Sequence, residues 1–112
     1  MSKNMQLTVI VRSYYEKDLE GTYPKIARYL RHMDSSLASR NPSLYELAGQ
    51  LDQFLYHFDG TPLREVLLRH GDKLRNLYKT IQENIADWNL AQADKLLYYI
   101  EDIFDDIESE LD

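Results

Sequence analysis

"ADKLLYYIEDIFDDIESEL", residues 93–111, is the stretch whose reading decides the fold. Ala93, Leu96, Leu97, Ile100, Ile103, Phe104, Ile107 and Leu111 recur at intervals of three and four, the period of one buried helix stripe. Glu101, Asp102, Asp105, Asp106 and Glu108 stand between them, so the helix turns an apolar side to a core and an acidic side outward. From Glu101 to Asp112 seven of the twelve residues are acidic and none is basic. Glu101 with Asp105 and Asp102 with Asp106 are like charges one turn apart, each opposing the helix by about 0.2–0.5 kcal/mol. All these acids also lie at the helix end whose dipole favours cations. Burial of Ile100, Ile103, Phe104 and Ile107, at roughly 1.5–3 kcal/mol each, outweighs that cost, so the helix requires a body to pack on.

The same period runs upstream. Leu44, Leu47, Ala48, Leu51, Phe54, Leu55 and Phe58 predict a central core helix opened by Asn41-Pro42 or Ser43. Tyr23, Ile26, Ala27, Leu30, Met33 and Leu37 predict a helix capped by Thr22, after Gly21 ends a first helix over about Met5–Glu20. The β-branched run at Thr8–Val11 leaves a strand open for residues 5–12. Thr61-Pro62 reads as an N-cap with proline at the first helical position, starting a short helix that carries Leu63, Val66 and Leu67 and stops at Gly71. Asp72 then caps a segment with Leu74, Leu77, Tyr78, Ile81, Ile85 and Trp88 inward, and Asn89 marks the break before the last helix. The expected architecture is a single all-α domain over residues 1–112, an antiparallel bundle of four long helices plus one short helix.

Composition narrows the function. A chain of 112 residues can bury a core without crosslinks, and with no cysteine it excludes disulfides, thiolate metal sites and cysteine nucleophiles, which fits a cytoplasmic protein. The apolar run at Leu7–Val11 is too short for a signal peptide or a membrane span. His32, His57 and His70 are widely spaced, with no metal-ligand or phosphate-loop motif around them, so neither metal nor cofactor is expected. Net charge is −6 and unevenly placed: residues 1–48 hold seven basic and five acidic residues, residues 49–112 six and fourteen.

These features point to a non-catalytic protein-binding module, such as a small adaptor, chaperone, regulator or immunity-type inhibitor. Its expected contact residues are Glu101, Asp102, Asp105, Asp106, Glu108 and Leu111, with Ile107 and Leu111 forming a docking edge if the helix end overhangs. Lys25, Arg28 and Arg31, with His32 and Tyr29 among them, make a basic face that would suit the acidic tail of a second copy, giving a salt-sensitive homodimer. Nine tyrosines supply interface-prone area, and the Tyr14-Tyr15 and Tyr98-Tyr99 pairs each place at least one ring near the surface. The acidic tail also approaches duplex charge density, roughly one charge per 2.5 Å against ~1.7 Å, so an acidic nucleic-acid mimic is a further alternative. Binding of nucleic acid itself is disfavoured by the net negative charge.

One constellation suggests catalysis. In "LREVLLRHGDKL", Arg64 precedes His70 by six residues, a spacing that resembles the motif of the HEPN ribonucleases, small helical bundles that cleave RNA with an arginine and a histidine brought together across a dimer. The resemblance covers about seven residues and implies His70 as general acid or base and Arg64 as stabiliser of the pentacoordinate phosphate. Glu65 stands where that family usually has a small polar or amide residue.

Overall fold

The computed structural model describes residues 9–11 and 18–111, and all regular structure among them is helical. Helices α1 (Leu19–Thr22), α2 (Pro24–Met33), α3 (Leu44–Gly49) and α4 (Leu51–His57) are short, with a 3₁₀ turn at Ala38–Arg40. Helices α5 (Pro62–Ala86) and α6 (Leu90–Glu110) are long. Only three residues join these two, so they lie antiparallel as a hairpin, and the short helices pack on its proximal part. The all-α bundle is therefore as expected, but with two long helices where four were read.

Each difference has a local cause. Asp18 is extended (φ −116°, ψ −178°) and its Oδ1 accepts from Gly21 N–H at 2.6 Å, so a helix starts at Leu19 instead of running through from Met5. Residues 9–11 lie in no regular element, and residues 5–8 and 12–17, with Tyr14-Tyr15, fall outside the described residues. Gly21 sits inside α1, and Thr22 is its last residue, not the cap of α2. The second helix stops at Met33 because Asp34 takes both the N–H and the hydroxyl of Ser36 in a tight turn. Those bonds hold the Asp34 carboxyl below its ordinary range. Leu37 is nevertheless buried, delivered to the core by that turn.

The central helix breaks at Gly49–Gln50, where Gln50 N–H bonds back to Leu47 at 3.0 Å. A Cβ on Gly49 would stand 2.8 Å from the Tyr78 ring, which is stacked on Tyr45 with centroids 4.7 Å apart. Only glycine permits that approach. Gly71, expected as a stop, is instead buried in mid-helix, and Asp72 caps nothing. The roughly 1 kcal/mol that glycine costs a helix interior is overridden by fully burying Leu74 and Ile81 beyond it.

The expected caps of α3 and α5 are present: Ser43 accepts from Glu46 N–H at 3.1 Å and Thr61 from Arg64 N–H at 3.4 Å, with Pro62 following. Helix α5 ends with Asn89 N–H bonded to Asn84 O and Trp88 N–H to Ile85 O, a Schellman closure that puts Trp88 in the left-handed region (φ 59°). Trp88 was read as inward, yet that geometry leaves it 55% exposed.

Candidate functional site

The C-terminal half of α6 divides its acids between two tasks. The start of α2 meets this part of α6, with the Tyr23 ring edge-on to Phe104 at 6.4 Å between centroids. Helix α2 begins Tyr23-Pro24, and Tyr23 offers no side-chain cap, leaving the Lys25 and Ile26 N–H groups without intrahelical partners. Glu108 supplies the cap from another helix: one carboxylate oxygen accepts from Lys25 N–H at 2.7 Å and the other from Ile26 N–H at 3.0 Å. Charge, dipole and hydrogen bonding all favour a carboxylate there. One turn earlier, Asp105 Oδ1 accepts from the Tyr23 hydroxyl at 2.8 Å. Lys25 Nζ donates to the Leu111 carbonyl at 2.6 Å, and the Leu111 side chain is buried.

The helix end therefore does not overhang. Ile107 and Leu111, expected at a docking edge, are 0% and 2% exposed, because α2 closes over them. Among the expected contact residues, Leu111 is a core residue and Glu108 a half-buried cap. Glu101, Asp102, Asp105 and Asp106 are exposed, and Glu101, Asp102 and Asp106 make no ion pair among the described residues. The carboxyl of Glu101 is pushed above its ordinary range, first by partial burial and then by the charges of Asp105 and Asp102. Tyr98 and Tyr99, just upstream, are both exposed.

The basic face of α2 is drawn into the same chain. Arg31 pairs with Glu20, and Lys25 is held at the Leu111 carbonyl. The start of α2 meets the acidic tail through backbone groups, the Lys25 and Ile26 N–H groups on Glu108 and the Leu111 carbonyl under Lys25 Nζ, while Arg31 of the basic face pairs with Glu20.

Arg64 and His70 also have partners. Arg64 Nε donates to the Leu55 carbonyl at 3.2 Å and lies 3.5 Å from Asp59 Oδ1, tying the start of α5 to the end of α4. His70 Nε2 is 2.6 Å from Glu110 Oε2, joining α5 to the end of α6 and holding the Glu110 carboxyl below its ordinary range through that bond. Six residues apart on one continuous helix, the two face different neighbours. Among the described residues no group of three or more His, Asp or Glu side chains could hold a metal ion, and no helix is long and apolar enough to cross a membrane.

The role of Glu108 was not readable in the sequence, where Thr22 stood as the expected cap; Thr22 instead ends α1, and the Tyr23 left at the cap position makes no side-chain bond. The partner that completes that cap lies about 80 residues downstream. No protein-family model, curated protein or solved structure matches the chain.

Proposed function

We propose that the chain is a non-catalytic protein-binding module, acting in the cytoplasm as an adaptor, chaperone, regulator or inhibitor, and that it presents Glu101, Asp102 and Asp106 on α6 to a basic surface of a protein partner. The observation that carries this reading is the repulsion left uncompensated on α6, where Glu101, Asp102 and Asp106 are exposed, have like charges one turn away and make no ion pair among the described residues, while Asp105 and Glu108 are committed internally. A lysine- or arginine-rich partner relieves that repulsion on docking. The exposed Tyr98 and Tyr99 add apolar contact area beside the charge.

The test is affinity capture from the native host with wild type and with a triple variant, Glu101→Gln, Asp102→Asn and Asp106→Asn, whose helicity is checked by circular dichroism. A specific partner retained by the wild type, and lost in the variant and in about 0.5 M salt, supports the reading. Equal retention by wild type and variant removes it.

A further inference from the structure

The turn between α4 and α5 holds a reactive pair that neither the acidic face nor the core uses. Asp59 is the only aspartate in the chain followed by glycine. Its side chain is 81% exposed, and Gly60 beside it has φ 80°, with nothing within 4 Å of the position a Cβ would take. Among the described residues no acceptor binds the Gly60 N–H. Attack of the Gly60 nitrogen on the Asp59 carboxyl carbon closes a five-membered ring, and glycine has no side chain to obstruct the approach.

The other aspartates are held back. Asp18 spends its carboxylate on the Gly21 N–H, and the Leu19 N–H that follows it is bonded to Asn41 Oδ1. Asp34 is held by Ser36 and Asp52 by Arg75, and the Trp88 N–H that follows Asp87 is bonded to Ile85 O. The aspartates inside α5 and α6 precede amides already engaged in the helix ladder. An exposed carboxyl, an unbonded amide and an unhindered glycine thus coincide, among the described residues, at Asp59-Gly60.

The chemistry is self-contained. Gly60 N bonds to Asp59 Cγ, the amide proton and the carboxyl hydroxyl leave as water, and a cyclic imide results. Water then opens either carbonyl. One opening restores aspartate; the other leaves the main chain running through the former side chain, with the α-carboxyl as the new branch. One water is lost and one regained, and nothing else is consumed.

The product has one more main-chain atom at a point that the structure holds closely. Phe58 O accepts from the Thr61 N–H at 3.0 Å and from Thr61 Oγ1 at 2.6 Å across this link, and Thr61 caps α5. Arg64 Nε, bonded to Leu55 O and 3.5 Å from Asp59 Oδ1, ties the same end of α5 to α4. The added atom lengthens the span that these bonds close.

We propose that Asp59-Gly60 is a self-modification site, where the folded chain forms isoaspartate and thereby loosens the cap of α5. The product belongs to the substrate class of carboxyl methyltransferases that act on isoaspartyl residues.

In the test, the full chain is held at physiological temperature and pH for several weeks in water enriched in heavy oxygen, then digested with trypsin. The expected result is isoaspartate confined to the peptide of residues 41–64, with heavy oxygen incorporated at Asp59 as each imide reopens. Purified isoaspartyl methyltransferase with labelled S-adenosylmethionine counts the product. The folded chain converts within about tenfold of the rate of the isolated peptide, because the turn leaves the reaction open. Asp59→Glu, whose ring would need six members, stops the conversion without altering the fold, and Asp59→Asn speeds it through the same imide. The isoaspartyl fraction melts about 4 °C below the fresh chain, the effect of losing one helix cap. Isoaspartate spread over the other aspartates, a folded rate below that tenfold range, conversion that persists in Asp59→Glu, or an isoaspartyl fraction that melts like the fresh chain overturns the proposal.

Discussion

Removing the Glu108 carboxylate is the sharpest way to separate the acids that hold the fold from those that do not. Glu108→Ala strips the first turn of α2 of both its acceptors, at 2.7 and 3.0 Å, and Pro24 and Tyr23 have no side-chain group to replace them. A lost cap costs about 0.5–2 kcal/mol and the lost charge at a helix N-terminus about 0.3–1 kcal/mol more. The site is half-buried, so water recovers part of this, and about 2 kcal/mol is the expected net loss. At about 4 °C per kcal/mol for a domain of this size, the melting temperature falls by about 8 °C. Glu108→Gln keeps one acceptor and loses the charge, and falls in between. Asp102→Ala is the control: it is exposed and repelled by Asp106, so its melting temperature stays within about 2 °C of wild type. Thermal melts followed at 222 nm, with urea midpoints at constant slope, measure all three. If Glu108→Ala melts within about 2 °C of Asp102→Ala, the interhelical cap contributes nothing and the division of the acids is wrong.

Gly71→Ala tests the continuity of α5. A Cβ there would lie 3.5 Å from Arg75 Nη1 and 3.8 Å from Leu51 Cδ2, ordinary contacts, so the variant is more stable by about 0.5–1 kcal/mol in urea titration, and a loss would contradict an unbroken helix. The Tyr45 phenol, pushed up to about 12 by partial burial and then by Tyr78, holds its proton in the folded state at pH values where the unfolded chain releases it near 10. Its contribution to stability is thus complete below pH 10 and lost as pH rises toward 12, and Tyr45→Phe should flatten that part of the pH–stability curve. Glu110 has the opposite sign: lowered by its bond to His70, it stabilises the fold above its ordinary titration range and ceases to do so as pH falls through its depressed value. His70→Ala should return the Glu110 carboxyl toward its ordinary value in a carbon-detected NMR titration. The same variant separates a helix tie from a ribonuclease histidine, since the tie predicts no change in any RNA-cleavage assay.

Periodicity made the core legible, because a buried stripe is a local pattern: Leu47, Leu51, Phe54, Leu74, Ile81, Ile100 and Ile107 all lie where three-and-four spacing puts them. Helix boundaries were less legible, because they depend on what the chain meets after folding. Gly49 and Gly71 look alike in sequence, yet a tyrosine ring pressed on the first accompanies a break, and apolar burial beyond the second carries the helix through it. The candidate site was half legible for the same reason. The pattern placed all the acids of α6 off its apolar stripe, but whether one faces water or another helix end depends on α2, and that pairing spans more than 80 residues.

The acids of α6 are better understood as a balance than as a patch. The two like-charged pairs oppose the helix by about 0.4–1 kcal/mol together, and the cap made by Glu108 offsets that from outside the helix. Glu108 and Asp105 can therefore be accounted for by the fold alone. Asp102 and Asp106 cannot, since among the described residues they make no ion pair, and they repel each other across one turn. Stability gives no reason for two carboxylates at these positions rather than any helix-forming polar residue. That leaves Asp102 and Asp106, with the equally unpaired Glu101 beside them, rather than the acidic run as a whole, as the side chains on which the protein-binding proposal stands. Their joint replacement should leave folding intact while removing the partner.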